Sequence, residues 1–379
     1  MPAPYAFRIS PHLKSDNAER LRKEVRAFLR EIPFTVSDLS NGFNPKFSQA
    51  LGLRGWLGLT WPRRYGGHER TGIERYVLLE ELLAAGAPVA AHWIAERQSG
   101  PLLLKFGTEE QKQRYLPRIA MGELYVCIGM SEADVGSDLA SIRVTALRDR
   151  DEYVINGTKL WTSHAHRSHA ILLFCRTDPG ARKQQGTSQL LVDLKTPGIT
   201  VRPIRDLVGE AHFNEVSFTD VRVPTSSLVG VEGDGWKQVM SELDLERSGP
   251  ERFFSSFPLL ITAMDALKAT SDARAPQLVG RLASHLAILR HLSRSVAAMI
   301  ENGEDPSVVS AMVKDLGAQH EQEVPEVLRE LLEVELDPRS TDVLNAMLAR
   351  ATMIAPSYSL RGGTREILRG IIARSLGLR

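Results

Sequence analysis

The chain has 379 residues, a formal net charge of +1, 43% hydrophobic and 25% charged residues. The length suits two or three packed units, and the ordinary composition excludes disorder or a coiled coil for the whole. The scattered basic residues give no nucleic-acid footprint, no apolar run approaches the ~20 residues a bilayer requires, and Met1–Ser10 lacks a basic start followed by an apolar stretch.

In chain order, the first third reads helical. Leu21, Val25, Phe28 and Leu29 give 17–31 one apolar face, and Pro33 stops it. Further helices are predicted over 76–83 and 109–121. From Tyr125 the pattern changes to short apolar or β-branched runs bounded by turn formers, at 152–155, 170–175, 189–193, 199–204 and 215–218. Asn156-Gly157 and Pro197-Gly198 read as turns. The spacing predicts an antiparallel sheet or small barrel. Past Gly235 the helical period returns, over 236–247, 276–300, 309–320, 325–334 and 341–354. The order argues for an α+β fold. Cys127 and Cys175 form neither a disulfide framework nor a CxxC metal site, and read as reduced core residues of a soluble cytoplasmic protein with no metal.

Two stretches carry chemistry. The run from Gly129 to Ser141 is a polar loop, with hydroxyls and a free backbone around Gly136, that can aim N–H and O–H groups at a flavin edge and a pyrophosphate. Read alone, it is equally an ordinary turn. The run from Ile155 to Ser163 reads as an Asn-Gly turn delivering a strand that bears Trp161, Thr162 and Ser163. Trp161 can lie against an isoalloxazine ring or be a core residue of a hairpin.

With these two stretches, several long runs in order resemble the acyl-CoA dehydrogenase family: Trp61 to Gly67, Phe106 to Lys112 with Tyr115-Leu116-Pro117, Asp220 to Pro224, and Gly233 to Trp236. The resemblance implies an N-terminal helical domain (1–124), a middle antiparallel β domain (125–232) and a C-terminal four-helix domain (233–379). It implies FAD held by Ile128, Met130, Ser131, Gly136, Ser137, Trp161, Thr162 and Ser163, with Ser137 also reaching the substrate.

The reaction needs a carboxylate that removes the α-proton of a thioester while a hydride leaves the β-carbon for the flavin. Many family members hold it near the C-terminus in a Tyr-Glu-Gly-Thr run. Here that run is Arg361-Gly362-Gly363-Thr364, with glycine at the glutamate position. A branch including isovaleryl-CoA dehydrogenases carries the glutamate on the helix after the β domain, and Leu243 to Arg247 resembles it. The resemblance makes Glu246 the base, with Arg247 near the substrate; Glu242 and Glu251 are weaker candidates. Gly363 fits the family's thioester contact, and Thr364 and Glu366 its flavin contacts.

Two family segments that reach the FAD of a neighbouring subunit, Arg-x-x-Phe-Gly and Gln-x-x-Gly-Gly-x-Gly, are missing between Glu251 and Ser357, and Val135 stands where the family usually has a small residue. In this the chain is similar to composite dehydrogenases of sterol side-chain breakdown. The resemblance implies a homotetramer or an α2β2 heterotetramer with a paralogous chain, a branched or bulky acyl-CoA, and electron-transfer flavoprotein as acceptor. A silent structural subunit and an acyl-CoA oxidase are the other readings.

Overall fold

The computed structural model describes residues 15–37 and 42–378; Met1–Ser10 lies outside them. Helices come first: α1 (Asp16–Glu31), α2 (Pro45–Leu53), α3 (Gly72–Ala84), α4 (Ala90–Ile94), α5 (Gly100–Phe106) and α6 (Glu109–Ala120). Strands follow: β1 (Val126–Gly129), β2 (Thr145–Asp149), β3 (Glu152–Lys159), β4 (Ala170–Arg176), β5 (Thr187–Asp193), β6 (Ile199–Ile204) and β7 (Phe213–Pro224). Helices then return: α7 (Gly235–Ser248), α8 (Phe257–Thr262), α9 (Met264–Ala269), α10 (Ala275–Glu301), α11 (Ser307–Leu332), α12 (Val343–Ile354) and α13 (Arg365–Ser375). The α+β order is the expected one. Contacts gather the described residues into two compact units, one drawn from 1–39, 70–87 and 244–379, the other from 40–69 and 88–243.

The first unit is helical. Helix α1 buries Leu21, Val25 and Phe28, the face its spacing predicts. The α3 carboxylates are paired with arginines. Glu80 takes two bonds from Arg290 of α10, at 2.8 and 3.1 Å, and one from Arg22 of α1 at 3.1 Å. Glu81 takes Arg22 and Arg26. The two helices predicted over 309–320 and 325–334 are one helix, α11, with Pro325 inside it. An interior proline costs about 3 kcal/mol. Val324, Val327, Leu328 and Leu331 bury into one cluster with Leu259, Leu260, Leu282 and Leu348. At roughly 1.5–3 kcal/mol for each buried side chain, that packing outweighs the proline.

The second unit is built on a seven-stranded sheet in the order β1-β4-β2-β3-β7-β6, with β5 paired to β4. Most pairings are antiparallel; β1 runs parallel to β4, and β2 meets β4 in parallel at Thr145 and Arg176. The five predicted strands are present, several of them longer. The predicted turn at Asn156-Gly157 is instead a bulge inside β3, where the register to β7 shifts between Ile155 and Gly157. Asn156 bonds across to Asp220 at 2.9 and 3.0 Å, so its side chain caps a strand irregularity and not a hairpin. Buried residues then change phase along β7, from Val216 and Phe218 to Val221 and Val223. Cys127 and Cys175 lie in the sheet core.

Helix α6 opens with a capping box between Thr108 and Gln111. Gln111 Nε2 also donates to the carbonyls of Ser226 and Leu228, both at 2.9 Å. The Phe106 to Lys112 run thus ties a helix start to the end of the β region. Among the described residues no helix is long and apolar enough to cross a membrane, and no group of His, Cys, Asp and Glu could hold a metal ion.

Candidate active site

Two constellations form, one in each unit. In the sheet unit the loop after β1 is fastened to the end of β3. Leu160 N–H donates to the Ser131 carbonyl at 2.9 Å, and Lys159 Nζ to the Met130 carbonyl at 2.8 Å. Lys159, fully buried, also pairs with Glu132 at 2.8 Å. Glu132 in turn accepts the N–H groups of Arg143 and Val144 at 2.8 and 3.0 Å, which closes the loop from the other side. Burial pushes Lys159 below its ordinary range, against the pull of Glu132. Gly136 and Ser137 stay exposed, and Ile128, Met130 and Ser131 are half-buried. Val135 is buried against Ile142, Phe174 and Val239, so the larger side chain fills a core and does not narrow the loop.

Trp161 lies beyond β3, not on a strand as predicted. Its φ is +62°, and its indole is 53% exposed, edge-on to Phe213 at 5.8 Å. The backbone leaves the ladder there because Thr162 N–H bonds the Asn214 carbonyl at 3.0 Å and Asn214 Nδ2 returns to the Thr162 carbonyl at 2.9 Å. The Thr162 hydroxyl is buried and has no hydrogen-bond partner among the described residues. Ser163 is half-buried beside it.

In the helical unit, Glu246, Arg247, Gly362 and Gly363 come together. Gly362 (φ +71°) and Gly363 (φ +101°) are successive left-handed residues, a backbone that glycine adopts without strain. A Cβ at Gly362 would stand 3.1 Å from Glu246 Oε1 and 3.5 Å from Lys314 Cε; one at Gly363 would stand 3.3 Å from Arg247 Nη2. Arg247 Nε donates to the Gly362 carbonyl at 3.0 Å. The Glu246 side chain is 16% exposed. Glu242 and Glu251 are 1% and 0% exposed, and Gln189 Nε2 bonds Glu242 at 2.5 Å, which ties it into the sheet unit. Thr364 holds the N-cap position of α13 but makes no side-chain cap bond. Glu366 sits in the first turn, exposed; its own N–H and then the Thr364 hydroxyl hold it below the usual carboxylate range.

Residues 15–123 match the family description "Acyl-CoA dehydrogenase, N-terminal domain" and residues 127–221 "Acyl-CoA dehydrogenase, middle domain". "Acyl-CoA dehydrogenase FadE26" of Mycobacterium tuberculosis is 32% identical over 95% of this chain and 96% of its own. The chain belongs to the acyl-CoA dehydrogenase family. That family is one of oxidoreductases. The solved structure described as "Tcur3481-Tcur3483 steroid ACAD" has a TM-score of 0.87 at 30% identity, over 97% of this chain and 99% of that one. The ChsE4-ChsE5 complex from Mycobacterium tuberculosis has a TM-score of 0.83 at 30% identity, over 98% and 100%.

Membership in the acyl-CoA dehydrogenase family leaves several charged residues around Glu246 that no sequence pattern flagged. Arg252 Nη2 bonds Glu246 Oε1 at 2.5 Å, and Arg252 Nε bonds the Glu246 carbonyl at 2.7 Å. Lys314, also buried, donates to the Tyr358 carbonyl at 2.5 Å. Glu321, buried, accepts from Arg361 at 3.1 Å and from the Ser255 N–H at 3.0 Å. The Ser-Gly-Pro run at 248–250 was the one available signal, since it ends α7 and folds Arg252 back.

Proposed function

We propose that the chain is an FAD-dependent acyl-CoA dehydrogenase in which Glu246 is the base. The single observation that carries this reading is the approach of Glu246 Oε1 to within 3.1 Å of where a Cβ would stand at Gly362. That approach supports the reading that Glu246 serves the place of the family's usual glutamate. Glu242 and Glu251 are 1% and 0% exposed, against 16% for the Glu246 side chain, which supports Glu246 over them.

A flavin fits the donor set of the sheet unit. The buried Thr162 hydroxyl has no other partner among the described residues, the Trp161 indole offers an open aromatic face, and nothing stands within 4 Å of a Cβ on Gly136. Ile128, Met130, Ser131, Ser137 and Ser163 would complete the contacts within this unit. When bound, the flavin supplies the acceptor for the hydride that leaves the β-carbon. Glu246 takes the α-proton, and the product is the trans-2-enoyl-CoA. Arg247 fixes the Gly362 carbonyl and with it the Gly362-Gly363 turn, against which the thioester would lie. The reading includes a branched or bulky acyl group, which the likeness to the steroid ACAD structure supports.

The reading includes the three-domain division at 124/125 and 232/233 and electron-transfer flavoprotein as acceptor. It also includes a multimer, homotetrameric or α2β2. The likeness to the ChsE4-ChsE5 complex favours a second, paralogous chain. Two buried thiols suit the reducing cytoplasm.

The test is anaerobic flavin bleaching by straight, branched and steroid acyl-CoAs, with the chain alone and with a paralogue. Glu246→Gln should keep its FAD and bleach roughly 10²–10⁴-fold more slowly. Bleaching at the wild-type rate would remove Glu246 as base; rapid oxygen consumption in air would mark an oxidase instead.

A further inference from the structure

The carboxylate assigned as base belongs to a largely buried cluster of charged residues. Glu246 is on α7, and α7 ends at Ser248. The turn Pro250–Arg252 follows, and the Arg252 N–H bonds the Gly249 carbonyl at 3.2 Å. That turn sends the Arg252 side chain back along the helix it has just left. Its guanidinium, 1% exposed, reaches the Glu246 carbonyl at 2.7 Å and the Glu246 carboxylate at 2.5 Å. One side chain thus grips the main chain and the side chain of the same residue.

Other basic side chains of the cluster have bonds of their own. Lys314 Nζ bonds the Tyr358 carbonyl, and Arg361 Nη2 bonds Glu321 at 3.1 Å. Arg247 Nε holds the Gly362 carbonyl. Glu251, fully buried, is the other acid of the Arg252 turn. Arg252 is hydrogen-bonded to the Glu246 carboxylate. A guanidinium bonded to a carboxylate favours its charged form, and a forked donor fixes direction better than an ammonium.

We infer that Arg252 is a positioning residue for the reaction, which holds the Glu246 carboxylate charged and aimed at the place beside Gly362 where the α-carbon of the substrate must lie. The inference rests on the reading of Glu246 as base. A base must be both ionised and within hydrogen-bond reach of its proton, and a displacement of about 1 Å can cost on the order of 100-fold in rate. Arg252 supplies both conditions without touching the substrate.

The experiment is stopped-flow flavin reduction from about pH 6 to pH 9.5 at several acyl-CoA concentrations, on FAD-loaded full-length protein with any partner chain. It compares wild type, Arg252→Gln, Arg252→Lys and Glu246→Gln. Arg252→Gln should lower the limiting rate about 10–100-fold near neutrality, shift the rising limb of the pH profile to higher pH and leave half-saturation nearly unchanged. Arg252→Lys keeps the charge and loses the fork. It should keep the limb in place and lower the rate about 10-fold. A wild-type rate and profile in either Arg252 variant overturns the inference, as does an Arg252→Gln loss equal at every pH, which marks a purely structural role. If Arg252→Gln does not fold, Arg252→Lys decides alone by the same criteria. If Glu246→Gln reduces as fast as wild type, the base reading itself fails. If that variant is silent while the Arg252 variants behave as wild type, only this inference does.

Discussion

Arg247 Nε donates to the carbonyl oxygen of Gly362 at 3.0 Å. The residue after the proposed base thus anchors the turn that occupies the family's other base position. Gly362 has φ +71°, and a Cβ there would stand 3.1 Å from Glu246 Oε1. Gly362→Ala should cost roughly 1–2 kcal/mol of stability for the left-handed backbone. It should also lower the limiting rate of flavin reduction, because Glu246 must move aside. Thermal melts and single-turnover kinetics measure the two effects separately; an unchanged rate would mean that the carboxylate works elsewhere.

Glu242 is the control for Glu246. It is buried and bonded to Gln189. Glu242→Gln should therefore change the melting temperature and leave the rate of flavin reduction, per bound FAD, within about threefold of wild type. A rate loss like that of Glu246→Gln would move the assignment one turn back along α7.

The Lys159–Glu132 pair fastens the two stretches proposed to hold the flavin. Breaking one side of a buried pair costs about 3–5 kcal/mol, since the remaining charge is left buried. Lys159→Met and Glu132→Gln should each lower the melting temperature and the FAD content of the purified protein. The double variant should lose less than the sum of the two. Strict additivity in a double-mutant cycle would show that the pair is not coupled.

Burial, and then the charges of Arg252 and Arg361, push Lys314 down to about 7 from an ordinary 10.5. Between those values the unfolded chain binds more protons than the folded one, so this group makes stability rise with pH across that window. Lys314→Met removes the titration. Wild type should gain on the variant by several degrees of melting temperature between about pH 7 and pH 9. A gap that stays constant would place the titration of Lys314 outside the window.

Burial pushes both cysteine thiols up to about 12. The thiolate is the reactive form, so Cys127 and Cys175 should resist a thiol-specific reagent in the native protein and both react in denaturant. Rapid native labelling of either would show that the sheet core opens.

The parts legible in the sequence are those fixed by local chemistry. The apolar face of α1 follows from spacing, and the start of α6 from a cap whose partners lie three residues apart. The pairing of Glu246 with Gly362 was legible only as a gain and a loss in one chain. Asn156-Gly157 misled because the same dipeptide serves a hairpin turn and a bulge, and only the register with β7 separates them. Pro325 misled because a local rule met a larger apolar face. Arg252 and Lys314 were not legible, since their meeting with Glu246 depends on the path of the chain after α7 and on the packing of α11.

Glu80 of α3 meets Arg290 of α10 across 210 residues of chain. A growing polypeptide makes that acid long before its partner exists. Contacts of such sequence separation slow folding, because the intervening loop must be closed before the contact rewards it. Helix α3 therefore waits, with Glu80 solvated on that side, until α10 has been synthesised. The helical unit of this protein can finish only once α10 has been synthesised, and chains cut short of α10 should be bound by chaperones or degraded.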